Sequence, residues 1–142
     1  MEANLFRPDF TADRIQATAK GTLAEVLDIR VVSVEGRSVT ATMPVDHRTH
    51  QPMGILHGGA SVALAETVGS ISANGTLDPE KQYAVGLEIN ANHLRSIRSG
   101  LVTARSLPIH IGRSTQVWEI RLTDEQDKLV CISRLTVAIL NR

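Results

Sequence analysis

Only one stretch of this chain, Ile55 to about Asn74, has the length of a core helix, and it is built largely from Gly, Ala, Ser, Val and Leu. A helix with so little side-chain bulk needs a second layer that can close tightly against it. Gly58 and Gly59 belong at its entrance, since glycine disfavours a helix interior, and Asn74-Gly75 reads as its C-terminal stop. From Thr49 to Leu77 the single charged side chain is Glu66, in the middle of the run. A carboxylate among neighbours that all argue for burial needs a reason, because desolvating an unpaired ion is costly. Catalysis is the economical reason; a buried pair with an arginine, or a cap on a neighbouring loop, is the structural alternative.

The rest of the chain reads mostly as strands. Ile29 to Val34 and Ser38 to Met43 form a hairpin across Glu35-Gly36-Arg37, and a polar loop with Pro52 follows from Val45 to Gly54. After the helix come Tyr83 to about Leu94, Leu101 to about Ile111, Thr115 to about Thr123, and Leu129 to Leu140. In the third of these Gln116, Trp118, Ile120 and Leu122 alternate with Val117, Glu119 and Arg121, the two-residue period of a sheet with one buried face. Ahead of them all, Thr11 can cap a helix through Ile15 and Ala19 that Gly21 would end. The 142 residues therefore predict one α+β domain over 1–142, with a short helical lead (about 1–21) and an antiparallel sheet of about six strands around the long helix. Such a sheet has edges and little chain to cover them, so an oligomer is expected.

Composition narrows the chemistry. A formal net charge of +0 gives no global attraction to nucleic acid or to an acidic membrane surface, and 3% aromatic residues argue against base stacking. The lone Cys131 suits a reducing compartment, the charged N-terminus is unlike a signal peptide, and no run approaches the ~18 apolar residues of a membrane span. A cytoplasmic protein without nucleic-acid or membrane partners is expected. His47, His50 and His57 have no common ligand spacing and no acidic or cysteine partner nearby, so no metal is expected. Serine-hydrolase elbows, Walker loops and dinucleotide fingerprints are absent from the sequence.

Helical spacing puts Gly59, Val62, Ala63, Glu66, Gly69, Ser70 and Ala73 on one face, leaving room in front of the carboxylate for a substrate or a partner's backbone. His57-Gly58-Gly59 opens the helix with unobstructed N–H donors, the makings of an oxyanion hole, although the glycines could equally serve close packing and His57 could simply hold the loop. Between Asn90 and Arg121, Arg95, Arg98, Arg105, Arg113 and Arg121 face Glu119 as the only anion. They suit a phosphorylated small ligand, or a solvated strand face.

Met43-Pro44-Val45-Asp46, Gln51-Pro52, Gly54-Ile55-Leu56-His57-Gly58-Gly59-Ala60-Ser61, Ala65-Glu66 and Gly86-Leu87-Glu88-Ile89-Asn90-Ala91-Asn92-His93 together resemble the hotdog-fold acyl-CoA thioesterases. The resemblance covers about 22–140 and is nearest the branch of the 1,4-dihydroxy-2-naphthoyl-CoA hydrolases, the enterobactin-pathway proofreading thioesterase and the Arthrobacter-type 4-hydroxybenzoyl-CoA thioesterase. It implies hydrolysis of an aromatic or medium-sized acyl-CoA to free acid and CoA, with no cofactor beyond the CoA of the substrate. Glu66 would be general base or nucleophile, Gln51, His57 and the Gly58 amide would surround the thioester carbonyl, and Ser70 would lie near the attacking water. His93, Arg95, Ser96, Arg113 and Ser114 fall where such enzymes bind the CoA nucleotide. The resemblance further implies a homotetramer, a dimer of dimers whose sites draw on two subunits. A hotdog hydratase or dehydratase, or a non-catalytic acyl-CoA or fatty-acid binder, are the rival readings.

Overall fold

The computed structural model describes residues 3–142; the first two residues of the lead lie outside the described residues. Two short helices, α1 (Ala12–Ala17) and α2 (Leu23–Val26), precede strands β1 (Arg30–Glu35) and β2 (Ser38–Pro44). Then come the central helix α3 (Gly58–Gly75) and strands β3 (Gln82–His93), β4 (Leu101–Ile111), β5 (Thr115–Thr123) and β6 (Leu129–Asn141). The strands form one antiparallel sheet in the order β1-β2-β4-β5-β6-β3.

The sheet wraps α3, whose Leu64, Ala65, Val68, Ser72 and Ala73 are buried against it. Gln116, Trp118, Ile120 and Leu122 supply the inner face of β5, following the predicted alternation. Burying a side chain the size of Leu64 or Val68 stabilises by about 1.5–3 kcal/mol, so this one face supplies much of the cohesion between helix and sheet. Close contact depends on the small residues. A Cβ at Gly69 would stand 2.7 Å from Leu135 Cδ2, so the sheet would have to retreat from the helix. Where helix meets sheet, the buried Ser72 and Ser106 hydroxyls share a 2.6 Å hydrogen bond, and Ser106 Oγ accepts from Val39 N–H just past the β2–β4 ladder.

Three local expectations change. The helix begins at Gly58, three residues later than predicted, because the approach is extended: Leu56 N–H donates to Ile97 C=O and His57 N–H to Thr49 C=O. It also runs through Gly75, which has no positive φ; that glycine is needed for space, since the Phe10 ring occupies the volume a Cβ would take. The lead helix is shorter than expected: Thr18 and Thr22 hydroxyls bond back to Ile15 and Ala19 C=O, Gly21 takes φ +76, and α2 follows as an element unread in the sequence.

Candidate active site

The entrance of α3 rests on Thr49, whose buried hydroxyl donates to Pro44 C=O while its own C=O accepts from His57 N–H. The same turn contains Asp46, which the Arg48 side chain and backbone N–H hold well below the usual carboxylate range. Beyond it, Gln51 is fixed by paired backbone bonds to Ile55 and Gly54, and its side-chain oxygen accepts from Met53 N–H. The side-chain NH2 of Gln51 has no partner among the described residues.

His57 is the N-cap of α3, and its Nδ1 accepts from Gly59 N–H at 2.7 Å. That bond uses Nδ1 as acceptor, so in the neutral ring the proton lies on Nε2, free to donate. Ala60 N–H turns back to His57 C=O, which leaves Gly58 N–H as the first-turn donor without a partner among the described residues. The His93 ring packs directly on Gly58, where an added Cβ would meet Nε2 at 2.9 Å. Gln51, Gly58, Ser61, His93, Arg95 and Ser96 line a cavity of about 380 Å³ at this end of the helix.

Glu66 lies two turns further along. It is half-buried rather than enclosed: Val62, Ala63, Glu66 and Ser70 stay partly open while Gly69 and Ala73 turn inward. Neither an arginine nor any hydrogen-bond donor among the described residues partners its carboxylate, so the structural alternatives of an ion pair or a loop cap find no support within the chain. The carboxylate stands against Gly86 of β3, at a bulge between Gly86 and Glu88. Ser70, one turn beyond, lines a cavity of about 370 Å³ between α1 and α3, with Phe10, Ile15, Thr18 and Ile71 among its walls.

The predicted nucleotide-binding residues separate into two groups. His93, Arg95 and Ser96 join Gln51 and Gly58, whereas Arg113 and Ser114 lie near the far end of β6: His93 pairs with Cys131 but Ser114 C=O accepts from Ile139 N–H. Eight residues of strand make that roughly 25 Å within one chain. The arginines likewise do not form one patch, for Arg105 and Arg121 are cross-strand neighbours on the exposed face and Arg121 binds Glu119. Of the three histidines weighed as ligands, His50 contacts Arg98 C=O, His57 caps the helix and His47 stands in the open near Asp46. No helix among the described residues is long and apolar enough to cross a membrane.

Residues 53–131 match the family model of the Thioesterase superfamily, more than half of the chain. The chain belongs to this family. Its six-stranded antiparallel sheet around one main helix is the hotdog fold, and its class of activity is thioester hydrolysis. It is similar to the 1,4-dihydroxy-2-naphthoyl-CoA hydrolase of Listeria monocytogenes (53% identity, covering 82% of this chain and 94% of the relative). The hydrolase of the same name from Escherichia coli is 47% identical over 96% of this chain and 99% of its own length. A mutant thioesterase from Pseudomonas aeruginosa superposes with a TM-score of 0.96 at 47% identity, covering 98% of this chain and all of that one.

Two features of this thioesterase-family site escaped the reading of its sequence. Gly86 is one; an isolated glycine inside a β run signals a bulge or a close approach, and that signal was available. The wall that α1 contributes beside Ser70 is the other, and no local pattern announces it.

Proposed function

We propose that the protein hydrolyses an acyl-CoA thioester with an aromatic or medium-sized acyl group, and that Glu66 supplies the attack as general base or nucleophile. The observation that carries this reading is a half-buried carboxylate on the same helix as the Gly58 N–H, neither with a partner among the described residues. Donors preorganised toward a developing oxyanion each contribute on the order of 2.7–4 kcal/mol. Gly58 N–H is the oxyanion donor in this reading, with Gln51 NH2 and His57 Nε2–H beside it. Ser70 orients the attacking water. As base, Glu66 takes a proton from water while the hydroxide adds to the thioester carbon; the oxyanion then collapses, the C–S bond breaks, and the proton passes to the CoA sulfur. As nucleophile it would form a mixed anhydride that water opens.

Glu66 and Gly58 are eight residues apart, about 12 Å along the helix axis at 1.5 Å per residue. In this reading the carboxylate of one copy works with Gln51, His57 and Gly58 of another. The long edge strand β3, with Val85 and Leu87 exposed, is the surface on which two copies would meet. Two such dimers make the tetramer of our reading. His93, packed on Gly58, belongs to the thioester end of the CoA arm, Arg95 and Ser96 follow it, and Arg113 and Ser114 serve the nucleotide only from a second copy. The cavity beside Ser70 would take the acyl group. Relatives named for naphthoyl-CoA make a hydroxylated bicyclic aryl thioester the first substrate to try.

The test is hydrolysis of a panel of aryl, aliphatic and hydroxyacyl-CoA thioesters by wild type and Glu66→Gln. We expect kcat to fall by roughly 10²–10⁴-fold, the range of a lost general base. Equal rates from the two proteins would refute the role of Glu66, and hydration or dehydration without hydrolysis would refute the activity.

A further inference from the structure

Gly86 lies in a strand, and its backbone does not require glycine: it has no positive φ, and it pairs with Val137 of β6 at the edge of the bulge. The reason for a glycine must be what a side chain would meet. A Cβ built there would stand 2.5 Å from Glu66 Oε1 and 3.7 Å from Glu66 Cδ, with Leu135 Cδ1 at 3.8 Å. The one close neighbour is thus the carboxylate itself.

What gives way on adding a methyl follows from what is held. The strand is pinned on both sides: its ladder to β6 holds one edge, and on the other Ala84 N–H donates to Asn74 Oδ1 at 2.9 Å, tying β3 to α3 two residues before Gly86. The Glu66 carboxylate, by contrast, ends a flexible side chain and has no partner in the chain among the described residues. The oxygen, not the backbone, is free to move, and reaching an ordinary contact distance takes it about 1 Å from its place. A misplacement of that size can cost about 10²-fold in rate.

We propose that Gly86 is a positioning residue for the proposed thioester chemistry, fixing the carboxylate of Glu66 by offering it a bare backbone to rest on. The proposal rests on the role given to Glu66 above. It makes the bulged edge strand part of the catalytic apparatus, although Gly86 itself touches no substrate.

The experiment is a double-mutant cycle with two readouts, rate and thermal stability, accompanied by sedimentation to monitor assembly. Gly86→Ala should keep the wild-type oligomeric state and a Tm near wild type, lower kcat about 100-fold, and leave KM within a few-fold. Glu66→Asp shortens the side chain out of reach of the added methyl, so Gly86→Ala in that background should cost no more than a few-fold beyond Glu66→Asp alone. Equal penalties in both backgrounds, an undiminished rate in Gly86→Ala, or a loss of activity that tracks dissociation would overturn the proposal. If Gly86→Ala lowers the Tm or fails to fold, Glu66→Ala/Gly86→Ala decides: recovery to the Tm of Glu66→Ala supports the clash with the carboxylate, and continued failure overturns it. The stability arm needs no substrate, so a wild type without thioesterase activity would sink the functional reading while still reporting on the contact.

Discussion

Two inactive variants of this protein should restore activity to each other. Glu66 and Gly58 lie about 12 Å apart along one rigid helix, whereas a nucleophile or base and an oxyanion donor must both come within about 3 Å of the same carbonyl group. The proposed reading therefore gives the two groups to sites shared between copies. Glu66→Gln disables one contribution and Gln51→Ala the other. When equal amounts are unfolded and refolded together, random pairing makes about half of the dimers mixed. Each mixed dimer has one site with both defects and one with neither, so the mixture should recover about 25% of wild-type activity per subunit. The assay is thioester cleavage followed by free-thiol release, with each parent first shown to refold by its Tm and to be nearly inactive alone. Activity no greater than the mean of the two parents, in a mixture shown by differently tagged subunits to contain mixed dimers, would refute the shared site.

Filling the cavity between α1 and α3 should alter selectivity rather than chemistry: Thr18 is exposed and lines that space, so Thr18→Trp should lower kcat/KM for a bicyclic aryl-CoA roughly 10-fold or more while sparing acetyl-CoA, as measured on the same panel. A uniform change across acyl sizes would remove the cavity from consideration. Asp46 makes a prediction about acid stability. Its folded-state pKa is depressed by Arg48, so its contribution is complete above the unfolded value of about 3.9 and is lost as pH falls through the folded value. The Tm gap between wild type and Asp46→Asn should hold steady from about pH 5 to 8 and narrow below about pH 4; a gap that widens in acid would reverse the sign of the argument.

Local periodicity made the strands legible to within a few residues, because β-branched runs punctuated by Gly36, Gly100 and Gly112 carry their own boundaries. Pairing was less accessible. A turn joins β5 to β6, but that β3 lies on the far side of β6 depends on contacts far apart in sequence, and no turn dictates them. Gly75 shows the same limit: as a residue it looked like a helix stop, yet its role depends on Phe10, which approaches from 65 positions away. Around the candidate site, the lone charge at Glu66 and the glycines at the helix entrance stood out because composition marks them. The separation of Arg113 and Ser114 from His93 did not, since strand register sets it. The half-open surroundings of Glu66 were hidden for another reason: small residues announce close approach but not which side of a helix is approached.

The order β5-β6-β3 also governs when this protein can become complete. Within the described chain β3 has one partner, β6, which is made only after β4 and β5. Until then the strand that bears Gly86 lacks its ladder, while Arg7 can already cap the end of the central helix through Asn74 and Leu77 C=O. An unpaired strand of 12 residues is the kind of surface on which nascent chains pair wrongly. The stretch of backbone on which Glu66 rests thus depends for its ladder on β6, a strand more than thirty residues further along the chain.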